Sequence, residues 1–333
     1  MDYLEILKRA WELTWRYRAL WVFGILLALT TGGGGGGTGY SFNGGNLAAP
    51  GGQFALPQVG PEVVRVLIAI GIAFACLMLV LIVLAILTRY VAETALIRMV
   101  NEHEATRERL SVRQGLRLGW SRAAWRMFLI DLLIGLPTVL AFILLFALAL
   151  APLLLWTTQN RAAGLIGTLV AIALFSLVIL LAIVVGVGVS LLTKFFRRAC
   201  ALEGVGVIAS VRHGYGLVKR YLKDVAVMWL IMLGLGLGLG LAMFVVGLVL
   251  FGLGAVLGGL PALLVGILTG QIWEGAVPWL LAAAVGLPIF VIVTVLPLLF
   301  VSGLVQVFKS SVWTLAYREL SAQEGAVAGQ SMG

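Results

Sequence analysis

The segment Ser111–Gly135, SVRQGLRLGWSRAAWRMFLIDLLIG, returns at Ser210–Gly234 as SVRHGYGLVKRYLKDVAVMWLIMLG. The Ser-Val-Arg start is kept, as are Gly115 with Gly214, Leu118 with Leu217 and Gly135 with Gly234. A stretch used twice is one supersecondary unit repeated. In both copies a serine suited to an N-cap opens the unit, a basic amphipathic helix follows, and the end is wholly apolar. The unit is a surface helix feeding a membrane span, and this order dominates what the rest of the chain can be.

Composition agrees. With 62% hydrophobic and 11% charged residues and a mean hydropathy of +1.10, an ordinary soluble domain is excluded. The net charge of +9 resembles a nucleic-acid signature only until the cations are placed. Almost all lie beside the ends of apolar segments, which points to a cytoplasmic membrane face and an anionic leaflet, with no nucleic-acid partner. Cys76 sits in an apolar run and Cys200 beside basic residues, a pattern of small apolar side chains rather than of a disulfide framework. The first apolar run is followed by glycine instead of a small-residue cleavage pattern, so no cleavable signal is expected.

Taken in order, residues 2–18 place Tyr3, Leu4, Leu7, Trp11 and Trp15 on one helical face and Glu5, Arg9, Glu12 and Arg16 on another, an interfacial helix with tryptophans at headgroup depth. Spans are expected over 19–38, 62–88, 127–156, 162–192, 225–257 and 279–308. The first is short of apolar residues, since a crossing needs about 20. Residues 31–60 hold twelve glycines and no Lys or Arg, an exterior loop; the glycine run lacks the Lys-Ser/Thr of a phosphate cradle. In the second connector, Val211, Tyr215, Val218, Leu222 and Val225 follow the spacing of one helix face, with Arg212, Lys219 and Lys223 beside it. Gly234, Gly236, Gly238 and Gly240 form two small-xxx-small pairs, where close helix contact is expected. The stretch 258–278, broken by Pro261, Gly270, Gly275 and Pro278, predicts an interfacial or re-entrant helix, and 321–333 a polar cytoplasmic tail.

Of the 23 lysines and arginines only Arg65 and Arg161 fall opposite the amino terminus. That asymmetry predicts both termini inside. The amino-terminal segment plays the same part as the two connectors. The fold expected is therefore an all-α integral membrane domain over 1–320, with six spans as three pseudo-repeated hairpins, each introduced by a cytoplasmic amphipathic helix.

Chemistry-bearing residues are few. His103 and His213 have no nearby ligand cluster in sequence, and neither HExxH nor GxSxG occurs, so no catalytic residue, metal or cofactor is called for. Asp131, an ionisable residue inside a span, is either a functional carboxylate or the partner of Arg122, Arg126 or another connector arginine. Glu203 either binds a basic ligand or bridges to Arg197, Arg198 or Arg212. The connector cations Arg113, Arg117, Arg212, Lys219 and Lys223 are the candidate contacts for lipid headgroups.

The pattern ALEGVGVIASVRHGYGLVKR at 201–220 resembles a segment of bacterial multi-span proteins related to the membrane domain of glycerophosphoryl diester phosphodiesterases. The entry WELTWRYRALWVFGIL is similar to uncharacterised members of that group. The resemblance implies a helical bundle in a bacterial plasma membrane; the phosphodiesterase domain of some relatives has no counterpart here, so it transfers no catalytic residue. The function expected is non-catalytic, an accessory or organising protein that engages lipids and protein partners, including further copies of itself. The alternative is a transporter or lipid-translocating protein, favoured by the proline-broken helices and the internal repeat.

Overall fold

A computed structural model describes residues 1–31, 61–158, 160–273, 275 and 277–330. Every element among the described residues is helical: α1 (Tyr3–Arg16), α2 (Ala19–Thr30), α3 (Pro61–Thr106), α4 (Val112–Gly119), α5 (Arg122–Leu150), a 3-10 turn (Ala151–Thr158), α6 (Arg161–Glu203), α7 (Val207–Arg220), α8 (Leu222–Gly270) and α9 (Val277–Gln330). Helices α3, α5, α6, α8 and α9 are each long and apolar enough to cross a membrane. Helix α2, with 12 residues, is shorter than a crossing; the rest of the expected first span and nearly all of the glycine-rich loop lie outside the described residues.

Local chemistry explains the boundaries. Ser111 caps α4 through a reciprocal box: its hydroxyl accepts from the Gln114 amide, and the Gln114 side chain accepts from the Ser111 amide at 2.7 Å. Asn160 accepts from the Ala162 amide and opens α6. Helix α6 ends at Gly204, whose φ of +66° is the left-handed geometry that only glycine adopts cheaply.

Two sequence expectations are corrected, for the stretch after Gly258 and for Ser210. Helix α8 runs unbroken through Pro261 to Gly270, so 258–270 is neither a re-entrant nor a separate interfacial piece. A proline within a long apolar helix forfeits one backbone bond and can leave the helix continuous. Helix α9 continues to Gln330, into the stretch expected as a polar tail, an expectation this does not contradict. Helix α7 starts at Val207, which places Ser210 inside it, buried and donating to the Gly206 carbonyl at 2.9 Å; only the first copy of the repeat uses its serine as a cap.

The chain forms two compact units. One comprises Met1–Leu13, Thr94–Gly234 and Ser310–Gly333, the other Thr14–Glu93 and Leu235–Lys309. In the second, α8 and α9 pack through small residues. A Cβ on Gly258 would lie 2.7 Å from the Gly286 carbonyl oxygen, and Phe251 meets Phe290 edge-on at 5.4 Å. The Thr294 hydroxyl crosses to the Leu250 carbonyl at 3.2 Å. Helix α2 packs on α9 in the same way, with Gly303 against Ile25 and Trp21 edge-on to Phe300. Close packing was expected at Gly234–Gly240 instead, but nothing lies within 4 Å of a Cβ placed on any of those four glycines. Spacing allows such contact; which glycines meet a neighbour depends on how the second helix lies.

Candidate functional site

The densest packing of the first unit lies where three long helices leave their apolar runs. Thr94–Val100 of α3, Phe195–Ala201 of α6 and Ser310–Leu320 of α9 supply nearly all of the fully buried side chains there, joined by Met127 and Ile130 of α5 and Leu217 of α7. By contrast, no residue in the most apolar stretch of α3 is buried, and at most 11% are in the corresponding stretches of the other four long helices. We call the packed ends, with the surface helices around them, the cap.

Arginines tie the cap together by donating to backbone carbonyls at or near helix ends. Arg98 donates to the Ala201 carbonyl at 3.0 Å, to the Leu118 carbonyl at 3.3 Å and to the Ser121 hydroxyl at 3.1 Å. Arg126 donates to the carbonyls of Gly204 and Val205 at 2.6 and 3.3 Å. Arg318 reaches the Asn101 carbonyl at 2.8 Å and its side-chain oxygen at 3.1 Å. A guanidinium, with five donors and a charge retained at all relevant pH, suits this role better than lysine.

Asp131 is paired with Arg197 of α6, not with Arg122 or Arg126. Arg197 Nε donates to Oδ1 at 3.0 Å and Nη2 to Oδ2, a two-pronged fork between side chains only 16% and 19% exposed. Glu203 is likewise not bridged to an arginine. Its carboxylate accepts from the Tyr317 hydroxyl, and His213 Nε2 lies 3.1 Å away at ion-pair distance but outside hydrogen-bond alignment. At the edge, Arg220 pairs with Glu324 at 3.0 Å, and Tyr3 donates to Asp224 at 2.7 Å. That bond raises the Tyr3 phenol above its ordinary range, chiefly because the hydrogen bond to the carboxylate favours the protonated form.

Arg113, Arg117, Arg212, Lys219 and Lys223 are all exposed, and among the described residues no carboxylate holds any of them. Gly115 and Gly214, at matching places in the repeat, are both buried; the second seats against the Phe196 ring, 2.6 Å from where a Cβ would stand. Ala10 and Leu13 of α1 are buried as well. Among the described residues no three of His, Cys, Asp and Glu gather where they could hold a metal.

Sequence reasoning missed the cap. Its signal was present in TALIRMV, KFFRRACA and SSVWTLAYREL, helical runs that mix small apolar residues with a few polar ones, as a protein-facing surface does.

Five apolar crossing helices joined to a charged, packed cap make this a multi-pass helical membrane protein. The chain belongs to a family of unknown function, DUF7544, whose model matches residues 5–316. No curated protein and no solved structure matches it. That match does not bear on the resemblance to the membrane domain of glycerophosphoryl diester phosphodiesterases, and no residue role is taken from that resemblance.

Proposed function

We propose that this is a non-catalytic organising protein of a bacterial plasma membrane, with both termini cytoplasmic, that engages lipids and partner proteins through its spans and surface helices. The observation behind it is the distribution of burial. The cap holds the first unit together, while the spans leave their apolar surface to lipid and to neighbouring spans. The element order supports a triplicated unit: a short surface helix, an apolar helix (shortened in α2) and a second apolar helix that runs on into the cap, as α1–α2–α3, α4–α5–α6 and α7–α8–α9. The inward small residues Ala10, Gly115 and Gly214, each followed three positions later by leucine, place the three short helices in one register. Six spans as three hairpins follow from this reading.

A transporter would need uncommitted polar groups at mid-membrane. Thr168 and Ser176 donate to the carbonyls of Gly164 and Ile172, Thr294 to Leu250, and Asp131 is forked to Arg197, so these groups are engaged in the fold. The test is native mass spectrometry of the protein released gently from its own membrane. A stoichiometric protein partner supports the organising role; saturable solute movement or headgroup-dependent lipid scrambling by the purified protein in liposomes overturns it.

A further inference from the structure

Helix α7 has two faces that its hydrophobic spacing alone does not separate. Ser210, Gly214, Leu217 and Val218 are buried against the cap. Away from them Ile208 and Tyr215 are 79% and 53% exposed, and Leu222, the first residue of α8, is 62% exposed. Ile208 and Tyr215 are seven residues apart, so they share one stripe of α7. Arg212 and Lys219, four residues after Ile208 and Tyr215, flank that stripe, and both are exposed.

Helix α7 contains no Asp or Glu. The nearby Asp224 is held by Tyr3, and Arg220 is turned away to Glu324. The outward stripe therefore carries apolar groups and cations and no compensating acid. Only one residue, Tyr221, separates α7 from α8, so the last turn of α7 stands at the membrane boundary. Tyr215 lies five residues before the end of α7 at Arg220, about 8 Å along the helix.

Helix α4 repeats the arrangement. It too lacks acidic residues and buries Gly115 and Gly119, while Leu116 at 49% and Trp120 at 70% point outward beside the exposed Arg113 and Arg117. Two helices with matching inward glycines present the same kind of outward face, one to two residues before a crossing helix.

We propose that the outward faces of α7 and α4 dock on the anionic phospholipid leaflet of the bilayer that the chain crosses. Ile208 and Tyr215 of α7, with Leu222 at the start of α8, enter the boundary between headgroups and acyl chains, while Arg212 and Lys219, with Lys223 at the start of α8, meet lipid phosphates. The charge complementarity selects this occupant: a neutral leaflet would satisfy the apolar stripe but not the cations. The inference deepens the organising role by naming the lipid class, and it rests on that reading for the presence of the membrane.

The test uses the full chain in nanodiscs, with Cys76→Ser to remove the exposed thiol; Cys200 is fully buried and stays unlabelled. A nitroxide at Tyr215→Cys reports collision with oxygen, which favours lipid, against a water-soluble nickel chelate. A label at Leu79→Cys, 64% exposed in the apolar run of α3, is the control. In discs of equal parts phosphatidylcholine and phosphatidylglycerol the label at 215 is expected to be oxygen-accessible. Each basic residue near an anionic surface is worth a factor of about five. The triple variant Arg212→Gln, Lys219→Gln, Lys223→Gln should then lower the docked-to-undocked ratio roughly 100-fold and move the label toward the aqueous reagent, as should pure phosphatidylcholine. An aqueous label at 215 with a lipid-accessible label at 79 overturns the docking and leaves the membrane reading standing. Immersion indifferent to phosphatidylglycerol and to the triple variant overturns the choice of anionic lipid. Shielding from both reagents in native membranes, with aqueous behaviour in discs, assigns the face to a protein and overturns the proposal. An aqueous label at 79 means that the membrane reading itself has failed.

Discussion

Replacing Asp131 by Asn removes the carboxylate that the Arg197 guanidinium grips with two donors. The residue lies nine positions beyond the start of α5 at Arg122, about 14 Å along the axis, and both side chains are roughly four-fifths shielded from solvent. Breaking a fully buried pair leaves an uncompensated charge at a cost of about 3–5 kcal/mol, whereas an exposed pair is worth about 0–1 kcal/mol. For this degree of shielding the expected loss is about 2–3 kcal/mol for Asp131→Asn, with a similar loss for Arg197→Gln. The double variant should recover much of that, because no charge then remains without its counterion, giving a coupling energy of about 2 kcal/mol. Unfolding by SDS of the detergent-solubilised protein, followed by circular dichroism, reads all three. A loss below about 0.5 kcal/mol for Asp131→Asn, or strictly additive losses in the double variant, would refute a structural pairing.

The α8–α9 contact predicts a sharp contrast between glycines. Gly258→Leu, driven into the Gly286 backbone, should cost more than about 2 kcal/mol in the same assay, while Gly236→Ala, with open space around its Cβ, should be neutral or stabilise by up to about 1 kcal/mol. In α7, Gly214→Ala should destabilise by about 1–3 kcal/mol through its collision with the buried Phe196 ring, and the open-sided Gly216→Ala should not. Tyr3→Phe removes one hydrogen bond to Asp224 and should cost about 0.5–1 kcal/mol near neutral pH. Because the folded protein raises the Tyr3 phenol, this contribution is complete below about pH 10 and disappears as pH rises through the raised value. The stability difference between parent and Tyr3→Phe should therefore close in strong alkali, and a gap that persists there would disprove the assignment. In the Cys76→Ser background a maleimide should spare the buried Cys200 under native conditions and modify it only when the cap unfolds, since the reacting thiolate needs access to water; early labelling of Cys200 would contradict the burial of α6 in that core.

The class of the protein was legible in the residues alone. Long apolar runs with cations at their ends permit little besides crossing helices, since an unpaired backbone cannot be left in lipid. The two similar stretches that begin at Ser111 and near Ser210 fall on α4 and α7, where Arg113, Arg117, Arg212 and Lys219 are exposed, as is Lys223 at the start of α8.

Tertiary structure alone decided which faces meet protein. In a span, leucine toward lipid and leucine toward a neighbouring helix have the same hydropathy, so the sequence could not show that Gly258 and Gly286 touch while Gly236 stands open. The same ambiguity hid the two faces of α7, because Val218 and Tyr215 share a spacing but only Val218 is buried. Partners distant in sequence were equally out of reach: Asp131 with Arg197 and Glu203 with Tyr317 are chosen by how α5, α6 and α9 converge in the cap, and charge alone would have allowed several other arginines. Continuity through Pro261 was settled in the same way, since a proline marks where a helix can break and the surrounding packing determines whether it does.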